Sequence, residues 1–355
     1  MRGNMYRADE GMGFILRYEN IAWYENGTVR ILDRRIYPVE ITYAVCTKHQ
    51  EVAQAIADMV TQSGGPYTAA MMGMALAAYE GRDLSDDQYM TYMKQAAYTL
   101  SHARPTTVKK MEAVTQRSMV RLEKELARGT PRNDIPEMLF EEAVCRLNDN
   151  YDKYDRTAKY LADQIPHNGT IMTQCFAETI VGTLLRECRR RGNEIKVICP
   201  ETRPYYQGAR LTASVACDMG FDTTVITDNM PAYVMREKHV DLFTSAADVI
   251  TMDGHVVNKI GTLQIALAAQ YNHVPYYTTG TPDIGHPTMD NVVIELRDPS
   301  LVLESMGRKH VLDGIKGYYP AFDVTPPELI SGIVTDRGIF SPYGLDAYYR
   351  SSQES

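Results

Sequence analysis

The sequence lacks several features that would define common classes of protein. No apolar run approaches the ~20 residues of a membrane-spanning helix, and residues 1–13 have no apolar core of a signal peptide. The six cysteines form no CxxC pair, and the eight histidines form no HxxxH pair. These absences disfavour membrane proteins, disulfide scaffolds and zinc fingers. We expect reduced thiols in a cytoplasmic protein with no bound metal.

Excess positive charge and nucleotide-binding glycine motifs are also missing. The 37 basic and 45 acidic residues give a net charge of -8, which disfavours nucleic acid as a partner. A small phosphate needs only two or three cations and remains compatible with this balance. No G-x-G-x-x-G follows the first strand of the C-terminal half, and no Walker A sequence occurs. We therefore expect neither a dinucleotide cofactor nor a P-loop.

The length of 355 residues and the change of pattern along the chain predict two domains. Short segments rich in β-branched and aromatic residues predict strands within 14–46, and Asn26-Gly27 predicts a hairpin turn. Residues 47 to about 164 have a helical pattern, and 166–169 (PHNG) is typical of a linker. We predict a small β-sheet plus helical bundle in 1–165 and a separate domain in 166–355.

The C-terminal half alternates short apolar strands with helices, which predicts an α/β, doubly wound, Rossmann-like parallel sheet. The expected strands include 291–296 (NVVIEL), and one expected helix begins at Asn258-Lys259. Ligands bind such sheets outside the carboxyl ends of the strands. The residues expected to converge there are Cys175, Glu201-Thr202-Arg203, Asp228-Asn229, Asp248 and Thr278-Thr279.

Cys175 and Asp248 are the strongest candidates for chemistry. Cys175 precedes an expected helix, whose dipole would stabilise a thiolate, although most free cysteines are simply small buried hydrophobes. Asp248 ends an apolar stretch, where a carboxylate is either a general acid or a turn cap. Lys259 and Arg104 are candidates for phosphate binding, or else ordinary surface charges, and Gly64-Gly65 permits close backbone approach to a ligand.

Longer motifs contain the same residues and occur in a characteristic order. They are LDRRIYP (32–38), GGP (64–66), ARPTTV (103–108), TQC (173–175), ETRPYYQGARLTA (201–213), TDN (227–229), AAD (246–248), NKIGT (258–262) and PAFDVTPPELISGIVTDRG (320–338). In these segments the chain resembles the methylthioribose 1-phosphate isomerases. Their superfamily also contains ribose 1,5-bisphosphate isomerase and the regulatory alpha, beta and delta subunits of translation initiation factor 2B.

The resemblance implies a function and a set of site residues. It implies an aldose–ketose isomerase that converts a 5-modified ribose 1-phosphate, such as the 5-methylthio or 5-deoxy compound, to the ribulose 1-phosphate without a cofactor. It also implies a homodimer formed through the C-terminal domains. The catalytic residues carried over are Cys175 and Asp248, and the substrate- or phosphate-binding residues are Ser63, Gly64, Gly65, Arg104, Gln207, Asn258 and Lys259.

The chain also departs from the family pattern near the expected site. Ser63 and Val249 replace two arginines, Gln174 replaces a histidine, and Phe176 and Glu178 replace an asparagine and a glycine. Three alternatives follow: a non-catalytic sensor of sugar phosphates or nucleotides, a ribose 1,5-bisphosphate isomerase, or a nicotinamide-dependent oxidoreductase. Retention of Cys175 and Asp248 argues against the sensor, and the missing glycine motif argues against the oxidoreductase.

Overall fold

The computed structural model describes residues 6–104 and 108–350, and the chain forms two compact units, Met1–Asp152 and Lys153–Ser355. The division falls inside the helix Ile135–Ala162, somewhat before the domain boundary expected at 165/166. Residues 105–107 of the ARPTTV motif lie outside the described residues. Within the described ranges no helix is both long and apolar enough to cross a membrane.

The first unit contains a three-stranded antiparallel sheet. Its strands are β1 (Ala22–Glu25), β2 (Thr28–Leu32) and β3 (Tyr43–Cys46). Asn26 and Gly27 join β1 to β2 with φ values of 49° and 77°, as the predicted hairpin requires. The strand expected at 14–18 is wrong, because this segment forms short 3-10 turns. Ile15 and Leu16 are both buried there, which an alternating half-buried strand does not allow.

Helices make up the rest of the first unit. They are α1 (His49–Ala57), α2 (Gly65–Glu80), α3 (Asp86–Ser101), α4 (Val108–Ala127) and α5 (Ile135–Ala162), the last of which continues into the second unit. Helix α2 is rich in Ala, Gly and Met and is buried around most of its circumference. A helix that is apolar all round belongs in a core, so α2 is the central element, packed against α1, α3, α4 and the sheet.

The second unit is an α/β structure with one large and two small sheets. Its strands are β4 (Thr170–Met172), β5 (Lys196–Pro200), β6 (Asp222–Ile226), β7 (Leu242–Ala246), β8 (Val249–Ile250), β9 (Val256–Lys259), β10 (Tyr276–Thr279), β11 (Glu304–Ser305), β12 (Arg308–Lys309), β13 (Phe322–Thr325), β14 (Gly332–Thr335) and β15 (Gly338–Phe340). Its helices are α6 (Thr179–Arg190), α7 (Ala213–Asp218), α8 (Pro231–Glu237), α9 (Thr262–Tyr271) and α10 (Asp346–Arg350).

The large sheet has the order β15-β14-β10-β7-β4-β5-β6, and only β15 runs antiparallel to its neighbour. From β4 the chain builds outward through β5 and β6, then returns to the other side of β4 with β7 and β10. The strand order therefore reverses between β4 and β7, and their carboxyl ends flank the crevice where such sheets bind ligands. The predicted fold class is confirmed.

A small antiparallel sheet, β13-β9-β8, and the segment 291–296 each correct one detail of the prediction. Asn258 and Lys259 end strand β9 rather than open a helix, since α9 begins only at Thr262. The pairing of Val256 and Val257 with β8 and β13 favours a strand here. Residues 291–296 do not form the expected strand, and only an isolated bridge joins Leu296 to Pro320.

Candidate active site

Cys175 lies on the loop that follows β4. Its N–H donates to Thr202 Oγ1 at 3.2 Å, and its carbonyl accepts from the Thr212 hydroxyl. Helix α6 begins only at Thr179, so the thiol is not at the helix N-terminus as expected. Burial raises the pKa of Cys175 to about 11, opposed by the positive charge of Lys259. The thiol is therefore protonated at neutral pH, and the expected thiolate stabilisation is wrong.

Backbone strain is concentrated around this loop. Cys175 and Glu178 adopt φ values of 57° and 53°, while Thr202 and Tyr206, on the loop after β5, adopt 62° and 56°. A β-branched residue such as Thr202 rarely adopts positive φ, and such strain persists only where the surroundings impose it. Asp228, after β6, imposes it by accepting the Thr202 N–H at 2.8 Å and the next N–H at 2.7 Å.

Asp248 and Lys259 are close to the Cys175 thiol. Asp248 lies between β7 and β8, its N–H bonded to Val257 of β9 at 2.9 Å, and its side chain is exposed. Lys259 is only 6% exposed, and burial lowers its pKa, opposed by the Cys175 and Asp248 charges. Asp248 also acts to raise the pKa of Cys175. The structure thus brings together a thiol, a carboxylate and a buried amine.

Gln207 and Asn258 are buried polar residues of the same unit. Gln207 is 9% exposed, and its Oε1 atom is buried without a hydrogen-bond partner. It precedes a π-helical turn, Gly208–Thr212, at which a Cβ on Gly208 would lie 1.8 Å from the Pro200 carbonyl oxygen. Asn258 donates to the Thr262 hydroxyl at 3.0 Å. An unpaired acceptor on Gln207 is costly unless a ligand satisfies it.

The remaining predicted site residues belong to the first unit. Ser63 has a φ of 58° and is exposed, Gly64 caps α2, and Gly65 begins it. The fully buried Arg34, from the LDRRIYP motif, supports this turn by donating to the Gln62 carbonyl at 2.8 Å. The Gly65 N–H donates to the same Gln62 carbonyl at 3.1 Å, which closes the turn at the start of α2. The structure places Arg104 just after α3, partly buried.

Two further charged residues, Arg297 and Asp323, lie near the Cys175–Lys259 pair and were assigned no role from the sequence. Arg297 lowers the pKa of Cys175 by its charge and forms an ion pair with Glu295 at 3.1 Å. It directly follows the segment 291–296 that was interpreted as a strand, and no motif marked it. Asp323, on β13, lies near Lys259 and has a pKa raised by burial to about 6. Its PAFDVTP motif was recognised, but no role was given to the aspartate.

A recess lies beside the Cys175 loop, beneath α6. It is small, with a free volume of about 10 Å³, which is room for about one water molecule, and every residue that lines it is uncharged. The lining residues are Leu161, Thr173, Gln174, Ala177, Ile180, Val181, Leu184, Thr244, Ser245 and Thr279. Within 6–104 and 108–350, no group of three or more His, Cys, Asp or Glu side chains is arranged to hold a metal ion.

The doubly wound sheet, with Cys175 and Asp248 on the two sides of its switch point, has the architecture of a known family. A family model described as the Initiation factor 2 subunit family matches residues 63–342, and the chain belongs to this family. The predicted resemblance is thereby confirmed.

Individual proteins similar to this chain include methylthioribose-1-phosphate isomerases and an initiation-factor subunit. The chain is 34% identical to the methylthioribose-1-phosphate isomerase of Pelotomaculum thermopropionicum over 336 residues, which cover 91% of each chain. It is also 34% identical to that of Thermotoga maritima, covering 92% of this chain and 96% of that protein. The crystal structure of 5-methylthioribose 1-phosphate isomerase from Pyrococcus horikoshii OT3 matches with a TM-score of 0.86 and 27% identity, covering 99% of both chains. Translation initiation factor eIF-2B subunit delta from A. fulgidus matches with a TM-score of 0.81 and 28% identity, covering 91% of this chain and 96% of that one.

Proposed function

We propose that this chain is an aldose–ketose isomerase that converts 5-methylthioribose 1-phosphate to 5-methylthioribulose 1-phosphate. The observation that carries the proposal is the meeting of Cys175, Asp248 and buried Lys259 at the carboxyl ends of β4, β7 and β9. The names of the relatives above support the same reaction. The direct test is to follow the substrate by phosphorus NMR, where a new ketose 1-phosphate signal is expected and its absence would contradict the proposal.

The chemistry requires a proton donor for the ring oxygen, because a sugar phosphorylated at C1 cannot open as a free aldose does. In the proposed reaction the C1–O4 bond breaks and O4 takes a proton from Asp248. Hydride then moves from C2 to C1, and the C2 hydroxyl becomes the ketone by releasing its proton to water, from which the Asp248 carboxylate is protonated again. The exposed Asp248 carboxyl can exchange protons with solvent.

Cys175 fits one of two routes for the hydrogen transfer better than the other. A thiolate would remove the C2 hydrogen as a proton, whereas a dry pocket would permit its direct shift as hydride. Burial raises the pKa of Cys175 to about 11, so little thiolate exists at neutral pH. This supports the hydride shift, with the neutral thiol lining the pocket beside C2.

We infer that the phosphate is bound in the second unit by Lys259, Gln207 and Asn258, and the family resemblance separately assigns a phosphate-binding role to Arg104. The low exposure of Lys259 supports this role, because a buried ammonium needs an anion to offset its desolvation. The unpaired Oε1 of Gln207 is suited to accept from a sugar hydroxyl. Arg104→Ala should raise KM strongly, since a charge-assisted hydrogen bond contributes ~1.5–3 kcal/mol.

We further propose that the C5 substituent is uncharged. A 5-phosphate would bring about two more negative charges at pH 7, and the site would need extra cations to offset their desolvation. Ser63 and Val249 stand where the family pattern has arginines, and Phe176 adds apolar surface. We expect both the 5-methylthio and the 5-deoxy substrates to turn over, with kcat/KM values that differ by no more than ~10–200-fold. The kcat/KM for ribose 1,5-bisphosphate should be far lower than either. A preference for the bisphosphate would overturn the substrate and leave the reaction type standing.

We propose a cytoplasmic homodimer formed through the second unit. Strand β6 is an edge of the large sheet, and Val225 on it is 47% exposed. Tyr233 on α8 and Leu267 and Tyr271 on the adjacent α9 are also exposed apolar side chains. Such surface is typical of an interface between subunits. Light scattering should give twice the chain mass, and Leu267→Glu with Tyr271→Glu should give the monomer.

A sensor function is the second candidate, because the chain resembles eIF-2B subunit delta of A. fulgidus nearly as well in fold. A sensor would bind a sugar phosphate without turnover. The NMR experiment separates the two, since saturable binding without a ketose signal would favour the sensor.

A further inference from the structure

Arg297 lies between two segments of the second unit that contain proposed phosphate-binding residues. Its guanidinium carbon is 5.6 Å from the ring centroid of Phe322 and 5.9 Å from that of Tyr205. Tyr205 is two residues before Gln207, on the loop after β5. Phe322 pairs directly opposite Lys259, so both side chains are on one face of the sheet, and Lys259 Nζ is 4.5 Å from the Phe322 ring. Two cations, Lys259 and Arg297, therefore lie beside the same aromatic ring.

Backbone pairing and one ion pair hold Arg297 in this place. Its N–H donates to the Tyr319 carbonyl at 2.9 Å, and the Ala321 N–H donates to the Glu295 carbonyl at 2.8 Å. In the side chain, Nε and Nη2 donate to the two Glu295 carboxylate oxygens at 3.1 and 3.2 Å. The carboxylate occupies one edge of the guanidinium, and the end formed by Nη1 and Nη2 has the fork geometry that binds a second anion.

Tyr319 adds a hydroxyl to the same cluster. The isolated bridge between Leu296 and Pro320 places Tyr319 opposite Arg297. The ring centroids of Tyr319 and Tyr205 are 6.2 Å apart. Tyr319 is 3% exposed, and its buried hydroxyl has no hydrogen-bond partner among the described residues. Such a hydroxyl costs free energy unless a ligand accepts its hydrogen bond.

We propose that Arg297 binds the C1 phosphate of the substrate together with Lys259, and that the Tyr319 hydroxyl donates to the same phosphate. The identity of the ligand rests on the proposed function. A phosphate monoester carries about −1.5 to −2 charges at pH 7. Lys259 alone leaves part of that charge uncompensated in the second unit, and Arg297 supplies the second cation. As a binding residue, Arg297 acts on KM and on phosphate affinity more than on kcat.

The experiment compares Arg297→Met and Arg297→Lys with wild type. Arg186→Met is the matched control, because Arg186 is 17% exposed and pairs with Asp155 at 2.9 Å in the same unit. Calorimetry measures the binding of inorganic phosphate, and steady-state kinetics gives KM and kcat for 5-methylthioribose 1-phosphate. Arg297→Met should weaken phosphate binding and raise KM at least ~10-fold. Arg297→Lys should recover only part of this loss, because it keeps the charge without the fork. Arg186→Met should change neither quantity.

Two further variants distinguish a binding residue from a structural clamp in which Arg297 only pairs with Glu295. Glu295→Gln removes the charge of the carboxylate and leaves Arg297, so phosphate affinity should be retained or increase. Tyr319→Phe removes no hydrogen bond of the free protein, so the free energy of unfolding should not fall, whereas phosphate affinity should fall ~3–10-fold. Wild-type phosphate affinity in Arg297→Met, or equal losses in Arg297→Met and Glu295→Gln, would overturn the proposal. Unchanged affinity in Tyr319→Phe would overturn the part assigned to the hydroxyl.

Wild type alone tests the proposal if the Arg297 variants do not fold. Phenylglyoxal modifies guanidinium groups, and bound phosphate should protect Arg297 but not Arg186, as read by mass spectrometry. Equal labelling of Arg297 with and without phosphate would overturn the inference. If wild type binds phosphate but gives no ketose signal, the proposed function fails while the assignment of Arg297 stands. Turnover by wild type with an unchanged KM in Arg297→Met gives the reverse.

Discussion

The two units contribute predicted site residues of different chemical kinds. In the first unit the turn Ser63-Gly64-Gly65 has no ionisable side chain, and its Gly65 N–H donates to the Gln62 carbonyl. In the second unit Cys175, Asp248 and Lys259 are ionisable side chains, two of which have pKa values shifted by burial. We therefore propose that the groups that transfer hydrogen come from the second unit, whereas the first unit contributes a rigid turn and the charge of Arg104. Substitutions should therefore act mainly on stability and binding in one unit, and on kcat in the other.

The largest expected effect is on the proposed catalytic pair. Cys175→Ala and Asp248→Asn should each lower kcat by ~100-fold or more, because Asp248→Asn removes the acid that protonates O4 and Cys175→Ala admits water to the pocket in which hydride shifts. Cys217→Ala is the matched control, because Cys217 is an exposed cysteine of the same unit and should retain full activity. Steady-state kinetics on 5-methylthioribose 1-phosphate measures all three, and wild-type turnover in either catalytic variant would refute the assignment.

The glycine turn of the first unit should respond through stability. A Cβ on Gly65 would lie 1.8 Å from Thr61 Oγ1, so Gly65→Ala should destabilise the protein by ~1–3 kcal/mol, as overpacked substitutions do. Thr61 Oγ1 is buried without a hydrogen-bond partner, so Thr61→Ala should be tolerated and should restore stability to the double variant. Urea unfolding gives these values. Equal stability of Gly65→Ala and wild type would show that the turn relaxes freely.

Gln207 offers a sharper distinction between binding and stability. Gln207→Leu removes a buried acceptor that has no partner, so the free energy of unfolding should stay constant or rise. KM should nevertheless increase about 10-fold if the oxygen binds substrate, since one hydrogen bond contributes ~1–1.5 kcal/mol. Gln164→Leu is the control: its Oε1 accepts from Tyr277 at 3.1 Å, so its loss should reduce stability and leave KM unchanged. The reverse pattern would make Gln207 a structural residue.

The smallest expected effect is the change in kcat that the titration of Cys175 causes between pH 7 and 9. Its pKa of about 11 predicts that kcat does not rise tenfold per pH unit between pH 7 and 9, as a thiolate base would require. A rise parallel to the alkylation rate of Cys175 would instead support proton abstraction. The effect on stability has the same cause. Because the pKa of the folded thiol lies above its ordinary value of 9.0, the thiol stabilises the fold below about pH 9, and this contribution is lost towards pH 11.

The sequence by itself determined the fold class and the order of the motifs. Alternation of strand and helix patterns predicted the parallel sheet, and the rule for strand ends selected Cys175 and Asp248 before any resemblance was used. Local residue preferences, turn residues and hydrophobic period contain that information. The hairpin at Asn26-Gly27 was predictable for the same reason, because few dipeptides adopt two positive φ angles.

Only the tertiary structure decided the electrostatics of the site and the local structure around Lys259. Residues 256–259 form strand β9 because β8 and β13 pair with them, and β13 lies more than sixty residues away in sequence. The pKa of Cys175 depends on burial and on Lys259 and Arg297, which no local pattern reveals. Asp323 and Arg297 reach the site through long-range contacts of the same kind. Sequence patterns report local preference, whereas desolvation and charge proximity exist only once distant segments pack together.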